Sequence, residues 1–132
     1  MITGLAHVNL TVPVGTLSAA HAFYGETLGL TSSPVPHLQR DRLVWFNIAD
    51  SGQQVHVAFG READFDGPVA RSSSRHPCFR LQSPESLLEL QRRIWAHFKS
   101  GGEGAPSECD EPGGQNSGEF QDGWGVVLFR VC

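Results

Sequence analysis

The chain has 132 residues, 39% of them hydrophobic and 18% charged, with ten Lys and Arg against fourteen Asp and Glu. That length suits one domain with its own core, and a net charge of −4 with a single lysine, Lys99, argues against nucleic acid and anionic membrane as partners. Three widely spaced cysteines (Cys78, Cys109, Cys132) form no CxxC pair, and neither a basic-then-apolar leader nor a membrane-length apolar run is present, so a cytoplasmic location is expected.

Residues 7–12 begin the pattern. Val8, Leu10 and Val12 alternate with His7, Asn9 and Thr11, the period-two mark of a strand with one buried and one wet face. Pro13-Val14-Gly15 makes a turn, and Thr16 is placed to cap a helix reaching about Leu28. Leu17, Ala20, Tyr24 and Leu28 share a helical face, and Gly29 stands where a left-handed C-terminal residue belongs. The two prolines in 32–38 suit an edge strand or an irregular segment. Residues 42–49, with Leu43, Val44, Trp45, Phe46 and Ile48, read as a strong strand. Asp50-Ser51-Gly52 turns the chain back into 53–59, where Val55, Val57 and Phe59 alternate with Gln54, His56 and Ala58. The first sixty residues thus spell β-α-β-β-β.

A polar connector over 61–75 follows. At 76–81 the alternation restarts, with Pro77, Phe79 and Leu81 against His76, Cys78 and Arg80. Ser83, Pro84 and Glu85 then form a clear helix start, with Leu87, Leu90, Ile94 and Phe98 on one face and Gly101-Gly102 at the end. Residues 101–125 hold eight glycines with Pro106 and Pro112. Short strands at 103–109 and 118–121 and a final strand at 125–131 are expected there. The expected architecture is α+β: one domain over 1–132, a first module at about 4–60 and a shortened second module at 76–132, atypical after 100.

Each of three candidate strands carries one histidine on its polar face: His7, His56 and His76. Neutral imidazole is a common ligand for divalent metals, and catalytic sites often use three protein ligands with an open position. Residues on one face of neighbouring strands can converge on one ion if the sheet curls. The alternative is that each is an isolated polar residue, the reading given to His21, His37 and His97. No nucleophile elbow, HExxH helix, Walker loop or GxGxxG fingerprint occurs. A Cys78–His76 nucleophile pair lacks an orienting third group, so a buried structural thiol is expected at Cys78. Trp45, Phe46, Trp95 and Phe98 are read as core.

The opening Gly4-Leu5-Ala6-His7-Val8-Asn9-Leu10-Thr11-Val12, followed by Ala22-Phe23-Tyr24-Gly25-Glu26-Thr27-Leu28-Gly29-Leu30, resembles the glyoxalase/bleomycin-resistance/dioxygenase (vicinal oxygen chelate) superfamily. Residues 53–59 match its fourth strand, and the resemblance covers most of 4–98. It implies two βαβββ modules curled around a cavity and, commonly, a homodimer. It also implies a divalent ion (zinc, nickel, iron(II), cobalt or manganese) on His7, His56 and His76. Asn9, Gln54, Cys78, Arg80 and Phe129 would face a small oxygen-rich substrate. The family's last-strand glutamate ligand is replaced here by Phe129, which can neither ligate nor accept a proton, so Glu119 or another acid substitutes, three imidazoles suffice, or metal is given up. The implied activities are metal-dependent isomerase, lyase or dioxygenase chemistry, with metal-free small-molecule sequestration or an inactive truncated paralogue as alternatives.

Overall fold

The computed structural model describes residues 1–65 and 77–112. Strand β1 (His7–Val12) leads into helix α1 (Leu17–Ala20), which continues without a break as a π-helical segment, His21–Thr27. Strands β2 (Thr31–Ser33), β3 (Leu43–Asn47) and β4 (Gln54–Phe59) follow. They form one mixed sheet in the order β1-β4-β3-β2, with β1 parallel to β4 and the other pairs antiparallel. A helix crossing between parallel strands that end up adjacent is the expected way to cover one face of a sheet.

The alternating residues behave as their period requires. Val55 and Val57 of β4 and Phe46 of β3 are fully buried, and Val12 and Val44 nearly so. They pack against Ala20, Phe23 and Tyr24 of the helix. Each large side chain buried here contributes roughly 2–3 kcal/mol of apolar transfer energy. Burial also pushes the Tyr24 phenol up to about 12, so it stays neutral across the physiological range. The π-helical turn lets both Phe23 and Tyr24 reach this core, and Leu28 N–H bonds the carbonyl of Phe23 rather than that of Tyr24. Gly29 takes φ +78° and ends the helix as expected. Thr16, by contrast, does not cap; its hydroxyl donates to the carbonyl of Pro13 in the preceding turn.

Helix α2 (Pro84–Ser100) starts and stops where its sequence says. Ser83 Oγ accepts from Ser86 N–H at 3.2 Å, Pro84 opens the first turn, and Gly101 closes it with φ 59°. The helix docks on the π-helical segment through polar contacts as well as apolar ones. His97 Nε2 donates to the carbonyl of Glu103 at 2.9 Å, and Nδ1 lies 2.6 Å from the hydroxyl of Thr27, itself buried. Arg93 donates to the carbonyl of Glu26, and Ser18 to the carboxylate of Glu103. His97 is therefore a junction between two helices rather than a stray surface residue.

Two expected strands are absent where residues are described. Residues 77–81 and 103–109 take no strand conformation. Phe79 packs against the core cluster on the helix-covered side of the sheet, which anchors its segment there. Glycine and proline at 101–106 form turns instead of a ladder, with Gly104 at φ 74°. The expected strands at 118–121 and 125–131 lie outside the described residues. No described helix is long and apolar enough to cross a membrane.

Candidate functional site

Register places the polar side chains of four strands on the face away from the helices. Across β1 and β4, His7 lies opposite Gln54 and Asn9 opposite His56. Across β4 and β3, His56 meets Trp45 and Gln54 meets Asn47, while Ser33 of β2 faces Trp45. Paired residues share a face, so all of these project together. His7 and His56 are thus side by side as the alternation requires.

The rings stack. The Trp45 and His56 centroids are 4.6 Å apart with planes 14° from parallel, and His56 and His7 are 4.1 Å apart at 12°. Three flat groups from three strands make one continuous pile across the sheet. Trp45 was expected in the core; its neighbours Val44 and Phe46 are buried, and Trp45 takes the opposite phase. The strict alternation over 43–47 was the signal that could have found it.

Beside the stack runs an amide chain. Gln54 Nε2 donates to Asn47 Oδ1 at 2.8 Å and to Ser33 Oγ at 3.3 Å. Its Oε1 lies 3.0 Å from His56 Nε2. Since a carbonyl oxygen only accepts, His56 carries its proton on Nε2 and leaves Nδ1 with a bare lone pair. Burial first, and the neighbouring His7 second, hold the His56 imidazolium below the ordinary histidine range. His56 is consequently a neutral imidazole at neutral pH, the form that can serve as a ligand or base.

Other expected site residues fall elsewhere. Cys78 and Arg80 are exposed on an irregular segment, not on a sheet strand beside His56, and Cys78 is not the buried thiol expected. The reason is the anchoring of Phe79 on the far side of the sheet. His76, Phe129 and Glu119 lie outside the described residues. Among the described residues, no group of three or more His, Cys, Asp or Glu is gathered so as to hold a metal ion. The donor chemistry of His7 and His56 does fit a borderline divalent ion. Nearly parallel rings, however, set their lone pairs side by side, so a shared ion requires the His7 ring to turn out of the stack.

On the stacked face His7 and Asn9 are exposed. Among the cavities of the described residues are one of about 290 Å³ and one of about 580 Å³, and neither His7 nor His56 lines these two. The larger is the groove between the π-helical segment and α2, and the smaller sits at the end of β2.

The sheet order, its covering helix and the strand-borne polar face define an α+β, glyoxalase-like fold. The chain is similar to the crystal structure of a "putative glyoxalase family protein" from Bacillus anthracis, with 28% identity and a TM-score of 0.57. The likeness spans 76% of this chain and 72% of that one. No family model matches the chain, and no curated protein matches it.

Proposed function

We propose that the chain is a small metal-dependent enzyme acting on a small oxygen-rich molecule, with His7, His56 and His76 holding a divalent ion. The observation that carries this is the adjacency of His7 and His56 on the polar face of β1 and β4. The likeness to a glyoxalase family structure supports it. When bound, the ion supplies Lewis-acid polarisation of neighbouring substrate oxygens. His56 offers Nδ1, because Gln54 engages its other nitrogen. Asn9, exposed on the same face, is the amide that orients those oxygens, while Gln54, both of whose N–H groups are taken by Asn47 and Ser33, orients His56. The wall that would close this face comes from the second module or from a second copy of the chain in a cytoplasmic homodimer.

Elemental analysis of untagged protein, followed by zinc and nickel titration, tests the reading. About one equivalent per chain is expected, falling sharply in His7→Ala and His56→Ala. Protein that stays metal-free after reconstitution overturns it.

One observation favours a second reading. The flat pile of Trp45, His56 and His7 is itself a platform for a planar ligand, without any metal. Binding of an aromatic ligand that chelators leave unchanged, and that Trp45→Ala abolishes, is its signature.

A further inference from the structure

The smaller cavity, about 290 Å³ at the end of β2, is lined by donors. Arg40 reaches it from the β2–β3 loop, His21 from the π-helical segment, and Ser32 and Ser33 from β2. The Arg40 guanidinium has neither a hydrogen bond nor an ion pair among the described residues, in contrast to Arg61, Arg92 and Arg93. Ser33 Oγ accepts from Gln54, which leaves its own hydrogen free to donate. Trp45 forms part of the wall, and its buried Nε1 has no hydrogen-bond partner among the described residues. Among the described residues, no Asp or Glu lines the cavity, although the chain as a whole carries a net charge of −4.

We propose that this cavity is a binding site for a small carboxylate with a flat apolar body, its carboxylate on Arg40 and Ser32 and its body against Trp45. Guanidinium and carboxylate match in charge and in paired geometry, and a concave site whose charged described side chain is a guanidinium favours an anion over a cation. The volume lies at the lower end of small-molecule sites, which limits the ligand to about one ring. The site is independent of the metal reading. Trp45 separates it from His56, with His56 stacked on the indole.

The full chain is titrated with sodium benzoate, with neutral benzamide and with sodium phosphate at constant ionic strength. Binding is read from the Trp45 indole N–H resonance, assigned with W45F. Benzoate is expected to shift that resonance saturably and to bind at least about tenfold more tightly than benzamide. Arg40→Gln, at an exposed loop position, should weaken benzoate by about tenfold while leaving the thermal midpoint unchanged. Ser32→Ala should weaken it by a smaller factor. Equal binding of benzoate and benzamide overturns the proposal, as does an Arg40→Gln variant that still binds normally. Phosphate binding with benzoate silent, or no saturable shift at all, also overturns it.

Discussion

The imidazole of His7 lies face to face with that of His56, 4.1 Å between centroids, although 48 residues separate them in the chain. The charged form of His56 is disfavoured there, by burial first and by the neighbouring His7 second.

This sets the response to acid. The His56 pKa is depressed in the folded chain, so the unfolded chain binds more protons on the acid side of the ordinary histidine value. Stability from this group is full above about pH 6.5 and is lost as pH falls through the folded value. Thermal midpoints should be flat above neutrality and decline below it, and His7→Gln should flatten part of the decline. Only part is expected to go, because burial, the larger cause, remains.

Gln54→Ala leaves the half-buried Asn47 and Ser33 without their donor and His56 Nε2 without its acceptor. A cost of about 1–2 kcal/mol is expected in urea unfolding. Nitrogen NMR of His56 should show the Nε2–H tautomer in the parent and a mixed population in the variant.

Thr27 and His97 should be energetically coupled. The Thr27 hydroxyl bonds the carbonyl of Ala22 and lies 2.6 Å from His97 Nδ1, at the contact between two helices. Thr27→Val and His97→Ala are each expected to cost about 1–2 kcal/mol. A double-mutant cycle by denaturant unfolding should return a coupling of at least about 0.5 kcal/mol.

Gly104→Ala should loosen the same junction from the other side. Gly104 sits at φ 74°, and a Cβ there would run into the carbonyl oxygen of Ala19 on α1. Since that obstacle is backbone, it cannot swing aside. A loss of about 1–3 kcal/mol is expected, with faster amide exchange over residues 84–100 than in the parent.

Much of the first module was legible because its cues are local. Alternation in 7–12 and 54–59 assigns each side chain to a face, and both histidines fell on the polar one. Serine, proline and glycine bounded α2 to the residue, since capping is decided within one turn of chain. The expectation failed at 77–81, where the same period-two pattern describes a segment with no ladder. Alternation states which way side chains would point in a strand; it does not supply the partner strand.

By itself, then, the order of residues decided that a βαβββ module exists and that His7, Asn9, Gln54 and His56 share a face. Only the tertiary structure decided that Trp45 joins the histidine pile, that Gln54 sets the His56 proton, that His97 ties two helices, and that Phe79 holds Cys78 and Arg80 off the sheet strands. The physical reason is range. Periodicity and caps depend on neighbours a few residues away, whereas ring stacking and amide orientation depend on sheet order and register between strands tens of residues apart.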